Sequence, residues 1–213
     1  MIKFENTEVF NFEGALRGMR NPLQSHAKSD SKWVYENIRD NGHYVIGPND
    51  LDLAKRLIKG GSEHRKFLRQ IFVSVDMTAP LYLLKEIDTY KVGTVANSYS
   101  TMHKIHAKKF TIDDFSHEHL MDGGNYILNS TIDMLNEYRS QYLKTKDKKY
   151  WYSMIQLLPS SYNQKRTLTM NYENVYSIYQ QRCIVPHKLD EWRIGFKEWA
   201  EYLPYFKEFF LEE

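Results

Sequence analysis

Between Gln70 and Met77 every second residue is apolar: Ile71, Val73, Val75 and Met77 fall on one side, Phe72, Ser74 and Asp76 on the other. A period of two is the mark of a half-buried β-strand. Ala79-Pro80 follows, and a proline, having no amide hydrogen, hinders continuation of a sheet. The chain is therefore committed to a sheet here, and residues 81–88 read as a helix leading out of it. Next comes Asp88-Thr89-Tyr90-Lys91-Val92-Gly93-Thr94-Val95-Ala96-Asn97-Ser98-Tyr99-Ser100-Thr101-Met102-His103-Lys104. This run is rich in Ser, Thr, Asn and Tyr and has no net acidity. It suits a core poorly and suits hydrogen bonding to a polar, aromatic, phosphorylated ligand well.

Other segments read mostly as helix. Pro48-Asn49-Asp50 opens one, with Asn49 or Asp50 as its cap and Leu53, Leu57 and Ile58 as its apolar face; Gly60-Gly61 ends it. Residues 105–123 read as loop with short elements. Leu128, Ile132, Leu135 and Tyr142 place a helix over 125–143, and the lysine-rich stretch 144–149 reads as a solvated loop. Leu168, Tyr172, Val175 and Tyr179 form a stripe that predicts a helix over 164–182. The last helix carries Leu189, Trp192, Phe196, Trp199 and Leu203 and stops before Pro204. Four or five strands are expected in all. The fold class is α/β or α+β, in a single domain over residues 1–213.

Composition narrows the function classes. With 29 basic and 27 acidic residues, nothing draws the chain toward nucleic acid. A single Cys excludes an internal disulfide and fits a reducing compartment. No apolar run reaches the roughly 18 residues of a membrane span, and Met1-Ile2-Lys3-Phe4-Glu5-Asn6 lacks a signal-peptide core. A soluble cytoplasmic protein is expected. The 16 Tyr make a homo-oligomer plausible, because tyrosine is enriched at interfaces.

Three constellations carry chemistry. In His64-Arg65-Lys66-Phe67-Leu68-Arg69, a helical segment would set Arg65 and Arg69 one turn apart to grip a phosphate; the alternative is a solvated shoulder before the strand. Asn171 and Arg182 stand eleven residues apart, three turns on one helix face, where an amide and a guanidinium can read a heterocycle carbonyl or a phosphate. Otherwise Arg182 decorates a helix C-terminus. Cys183 has His187 nearby, but Pro186 intervenes, and a buried structural thiol is the simpler reading. His103 with His106, and His117 with His119, lack the Cys or carboxylate partners of a zinc site, so no metal is expected. The common nucleotide-binding glycine loops are missing as well.

The ordered series of fragments resembles the flavin-dependent thymidylate synthase (thymidylate synthase complementing) family. Ala15-Leu16-Arg17 is similar to that family's Ala-Ala-Arg, and Leu57-Ile58-Lys59-Gly60 and Ala79-Pro80 stand where it has a helix ending at Gly and a strand ending in Ala-Pro. Its signature Gln-x-x-Arg-His-Arg-x-x-Ser-x-Asn-Glu-x-Ser-x-Arg-Tyr falls on Glu86, then Thr89-Tyr90-Lys91, then Thr94. After one extra residue near Ala96 it falls on Asn97, Ser98, Ser100 and Met102-His103. Downstream stand Leu158-Pro159, Asn171, Arg182, Glu191-Trp192-Arg193-Ile194 and Pro204-Tyr205-Phe206 at compatible spacing.

The resemblance implies a central sheet wrapped by helices, and a homotetramer in which FAD and deoxyuridine monophosphate (dUMP) share a cleft between subunits. Reduced pyridine nucleotide supplies hydride and methylenetetrahydrofolate supplies the carbon. By carry-over, Lys91, Thr94, Asn97, Asn171 and Ser177 face FAD. Glu86, Ser100 and Arg182 face the nucleotide, with His103 and Lys104 beside them, and Arg182 stabilises charge on the pyrimidine ring. Family arginines are replaced by Thr89, Lys91, Met102 and Ile155. Either Arg65, Lys66, Arg69 or Lys104 takes over the phosphate, or the ligand is another pyrimidine nucleotide accepting a one-carbon group. A non-catalytic nucleotide-binding or assembly protein is the reading from outside the enzymes.

Overall fold

The structure, a computed structural model, describes residues 2–35, 42–185 and 187–212; Pro186, between Cys183 and His187, lies outside them. In chain order the strands and α-helices are β1 (Lys3–Phe10), α1 (Phe12–Met19), β2 (Lys32–Val34), β3 (His43–Val45), α2 (Pro48–Lys59), β4 (Phe72–Pro80), α3 (Leu81–Ile87), β5 (Val95–Ser98), α4 (Thr101–Lys104), α5 (Asp122–Thr145), α6 (Lys148–Leu157), β6 (Asn163–Asn171), α7 (Tyr172–Ile178), α8 (Lys197–Glu201) and α9 (Phe206–Phe210). The main sheet has the order β1-β4-β6-β5, and β2 and β3 form a separate antiparallel pair with Trp33 opposite Tyr44. This mixture is the expected α/β class.

β4 shows why the alternation was decisive. Val73, Val75, Met77 and Ala79 are buried, while Phe72 on the other face is exposed. Pro80 ends the strand and α3 starts at the next residue. The first amides of a helix have no partner within it. Here Leu81 N–H donates to the Tyr162 carbonyl (3.0 Å) and Tyr82 N–H to that of Ser160 (3.0 Å).

The chain divides into two compact units, one of residues 1–5, 76–90 and 96–167, the other of 6–75, 91–95 and 168–213. In the first unit Phe110, Phe115, Leu128, Ile132, Leu135 and Met154 are buried together, with Trp151 and Ile155 packed against them. The lysine-rich stretch is a tight turn rather than a long loop. α5 runs to Thr145, Lys146 takes a left-handed conformation (φ 58°), and the Asp147 side chain accepts from Lys149 N–H (2.9 Å) to open α6. α6 itself has no counterpart among the sequence expectations.

In the second unit Phe12, Leu16, Leu53, Leu68, Tyr172, Val175 and Phe206 are buried. Two expectations fail here. The capping of α2 does not come from Asn49 or Asp50. Asp30 accepts from both of their backbone amides (2.9 and 3.1 Å), and Asp50 turns inward to Arg20, 2.5 Å away. The helix expected over 164–182 is a strand, β6, up to Asn171 and a helix only from Tyr172. The stripe of Leu168, Tyr172, Val175 and Tyr179 is buried as expected, because the strand-to-helix junction keeps all four inward. Beyond α7 the helix widens into a π turn over Tyr179–Ile184, and a second π turn, Glu191–Phe196, leads into α8.

Candidate functional site

In the second unit the polar segment 91–95 is fastened to the junction of β6 and α7. Asn171 and Asn174 cap each other: Asn174 N–H donates to Asn171 Oδ1 (3.0 Å) and Asn171 N–H to Asn174 Oδ1 (3.2 Å). The Asn174 amide then donates to the Val92 carbonyl (2.7 Å). Gly93 takes φ +76°, and a Cβ there would lie 2.7 Å from Asn171 Nδ2, so only glycine permits this approach. The next residue, Thr94, has a buried hydroxyl with no protein partner. A buried, unanswered hydroxyl is costly unless something outside the protein bonds to it. Lys91 is exposed and Ser177 half-buried on α7. The segment thus offers neutral hydrogen-bonding groups, one cation on Lys91 and an orphaned hydroxyl.

Arg182 sits in the π turn. Its guanidinium lies 3.0 Å from His187 Nε2 and 5.9 Å from the Trp192 ring centre. Asn171 and Arg182 therefore do not share one helix face three turns apart; the first caps the helix and the second follows its widening. Cys183 is half-buried rather than buried; it donates to the Trp192 carbonyl (3.2 Å), and desolvation pushes its pKa up to about 12.

Arg65 and Arg69 do not form a pair one turn apart either. The segment Lys66–Gln70 is a 3₁₀ helix, which aligns every third residue instead of every fourth. Arg65 is engaged by Glu173 through Nε and Nη2 (2.9–3.1 Å) and lies over Tyr176 at 5.1 Å, while Arg69 is exposed.

In the first unit a cavity of about 650 Å³ brings Ser100 and Lys104 together with Tyr99, Thr101 and Lys108. Ser100 caps α4, its hydroxyl accepting from His103 N–H (2.9 Å). Tyr99 is held on both backbone groups: its N–H donates to Lys165 O (2.9 Å), and Gln164 Nε2 donates to its carbonyl (2.6 Å). Of the cavity's lysines, Lys108 bonds Asp114, and Lys165 pairs with Glu5 (3.2 Å) and Asp76 (3.3 Å). Lys104 has no carboxylate partner among the described residues, which leaves its ammonium available to an anion. Glu86 on α3 is half-buried; Asn97 on the fully exposed β5 and His103 lie outside the cavity lining.

The substituted arginine positions have other duties. The Thr89 hydroxyl donates to the Glu86 carbonyl (2.7 Å), the Met102 carbonyl accepts from Trp151 Nε1 (3.0 Å), and Ile155 packs on the core. Sequence reasoning missed Lys108 and Tyr99, which no motif marks; Lys108 falls in the stretch read as loop.

This architecture is similar to that of solved flavin-dependent thymidylate synthases. The chain matches thymidylate synthase X (ThyX) from Helicobacter pylori with FAD and dUMP at a TM-score of 0.68 and 14% identity, over 100% of this chain and 98% of that one. A second structure of the Helicobacter pylori enzyme with FAD and dUMP matches at 0.66 and 15%, over 98% and 97%. A UMP/dUMP methylase, PolB from Streptomyces cacaoi bound with 5-Br UMP, matches at 0.53 and 10%, over 84% of this chain and 75% of that one. No family model and no curated protein matches the sequence. At these identities the likeness is one of fold.

Proposed function

We propose that the protein is a flavin-dependent enzyme that methylates a pyrimidine nucleotide, with reductive methylation of dUMP to dTMP as the first candidate. The observation that carries this reading is the full-length fold likeness to chains crystallised with FAD and dUMP. It is an analogy of fold, and the residues must support it independently.

Lys91, Thr94, Asn171 and Ser177 are the groups that would hold FAD, with Asn97 contributing from exposed β5; the orphaned Thr94 hydroxyl gains an acceptor or donor there. Bound flavin supplies the hydride chemistry, so no protein nucleophile is required. Ser100 and Lys104 hold the nucleotide phosphate, a role that passes to them because Arg65 is already engaged by Glu173. Glu86 and His103 border the base and sugar. Arg182 stabilises the negative charge that develops on the pyrimidine ring, and the contact with His187 orients its guanidinium. A reduced pyridine nucleotide and methylenetetrahydrofolate are the co-substrates, and the working form is a homotetramer in the cytoplasm.

One observation favours a second reading. Thr89, Met102 and Ile155 are uncharged side chains, which leaves fewer cations for a phosphate or a polarised ring. That suits one-carbon transfer to a different pyrimidine nucleotide.

Two measurements test this. Purified protein given FAD and then freed of unbound cofactor should absorb at about 450 nm; protein that stays colourless removes the flavin enzyme and leaves the non-catalytic binding protein. Isothermal titration with dUMP, UMP and dCMP should show one nucleotide bound. Lys104→Ala should weaken it about tenfold, the size of one charge-assisted contact. Binding of dUMP that ignores Lys104→Ala refutes the phosphate assignment.

A further inference from the structure

We propose that a second cavity, between α1, the β2–β3 hairpin and residues 199–205 of the second unit, binds a small planar aromatic anion. The cavity measures about 720 Å³, within the roughly 300–1,000 Å³ of small-molecule sites. None of the residues assigned above to nucleotide or flavin lines it.

Its walls are aromatic and fixed. Trp33 Nε1–H donates to Glu13 (3.0 Å), and the Trp33 ring meets Tyr44 edge-on at 5.6 Å. The Tyr205 hydroxyl accepts from Ile46 N–H (3.0 Å) and donates to the Tyr44 carbonyl (3.2 Å), tying the hairpin to the C-terminal segment. Trp199 Nε1–H donates to Thr7 (3.0 Å). With these polar atoms engaged in the walls, the cavity offers a ligand mainly ring surface. At its rim Tyr202 is 89% exposed and Trp33 44%, large apolar areas that a stacked ring would cover.

Two of the five non-glycine residues with positive φ among the described residues line the cavity. Asn11 (φ 70°) and Tyr205 (φ 59°), both lining residues, are left-handed. Asparagine tolerates that region, but an aromatic residue there is an outlier held by its surroundings, and such residues cluster at ligand sites.

Two formal charges of opposite sign line the cavity, the Glu13 carboxylate and the Arg17 guanidinium. Arg17 is exposed and has no carboxylate partner among the described residues. Glu13, one turn earlier on α1, is engaged by Trp33. The ligand class is thus an aromatic ring bearing one carboxylate, sulfonate or phosphate, with the anion on Arg17 and the ring among Trp33, Tyr44 and Tyr202.

The test uses 8-anilinonaphthalene-1-sulfonate and its uncharged analogue N-phenyl-1-naphthylamine, titrated by fluorescence into the full chain. The sulfonate should bind saturably. Arg17→Gln should weaken it about tenfold and leave the neutral probe unchanged. Tyr202→Ala should weaken both, and Lys104→Ala neither. Unsaturable binding, or affinities that ignore both Arg17→Gln and Tyr202→Ala, overturns the proposal. Both side chains are exposed, so circular dichroism should show folded variants; if Arg17→Gln does not fold, Tyr202→Ala decides alone. Flavin or dUMP binding can fail without changing this outcome.

Discussion

Arg20 and Asp50 meet inside the second unit with side chains 4% and 0% exposed, so their charges must be answered by the protein itself. The Asp50 carboxylate also accepts from the hydroxyls of Ser29 (2.7 Å) and Ser31 (2.6 Å) and from the Ser31 amide (3.1 Å). Burial pushes its protonation upward. The bonds from Ser31, Ser29 and Arg20 outweigh that and hold the carboxyl below its ordinary 3.8. A carboxyl lowered on folding contributes stability above its unfolded value and loses that contribution as pH falls through the folded one. Asp50→Asn should therefore cost about 3–5 kcal/mol at neutral pH, because Arg20 is left buried and unpaired. Urea titrations should show the gap between parent and variant closing as pH drops below about 4. A gap that stays constant would mean the carboxylate charge is not what Asp50 contributes. Gly93 is the second sensitive residue. Gly93→Ala places a Cβ against Asn171 in a left-handed backbone and should cost about 1–2 kcal/mol. Its FAD uptake, read from the visible spectrum, should fall more steeply than its stability.

At the scale of elements, the junction of β6 and α7 positions the groups proposed to hold FAD. Asn174 serves both as half of the capping box and as the anchor of Val92. Asn174→Ala should cost about 1 kcal/mol of stability, as cap losses do. It should also speed hydrogen exchange selectively over residues 92–95; exchange that stays slow there would show the segment is held by other contacts. Arg182 depends on the π turn for its place. Arg182→Ala should lose about 2–4 kcal/mol of transition-state stabilisation with little change in melting temperature. An activity loss below about threefold would reduce it to a helix-end residue. Sequence legibility divides along the same lines. β4, α2, α3 and α5 were readable because each buries one face with a clean period. β6 was not, because the spacing of Leu168 and Tyr172 fits a helix as well as a strand passing into one. The readable signal there was Asn171-x-x-Asn174, a reciprocal cap that starts a helix. The capping of α2 by Asp30, and the meeting of Ser100 with Lys108 in one cavity, depend on tertiary placement that no local pattern encodes. Lys104 is singled out by its nearness to the polar run and lines the cavity, whereas Arg65 looks available only because Glu173 is distant in sequence.

For the whole molecule, a fold likeness at 14% identity does not carry surface properties from one chain to the other. The surface that matters for assembly must then be sought in this chain's own exposed apolar groups. No helix among the described residues is long and apolar enough to cross a membrane, so lipid does not account for them through a spanning helix. α5 is the strongest case. Ile127 and Met134 are 65% and 41% exposed seven residues apart, on one face, with Tyr126 beside them at 75% and Met121 at 84% before the helix begins. Large exposed apolar side chains grouped on one water-facing helix mark a candidate interaction surface. If the working form is a homo-oligomer, α5 is where its chains meet. Size-exclusion chromatography with light scattering should give the parent a mass several times that of one chain. The double change Ile127→Glu and Met134→Glu should lower that mass while circular dichroism stays unchanged, since neither side chain belongs to the buried core. A parent that is monomeric at micromolar concentration would remove the oligomer. An unchanged mass in the charged variant would move the interface elsewhere. Flavin absorbance should be followed through the same columns. If the cofactor site is built from more than one chain, the dissociated variant should lose FAD along with its partners, although its own Lys91, Thr94, Asn171 and Ser177 are untouched; retention of FAD by the monomer would place the whole site within one chain.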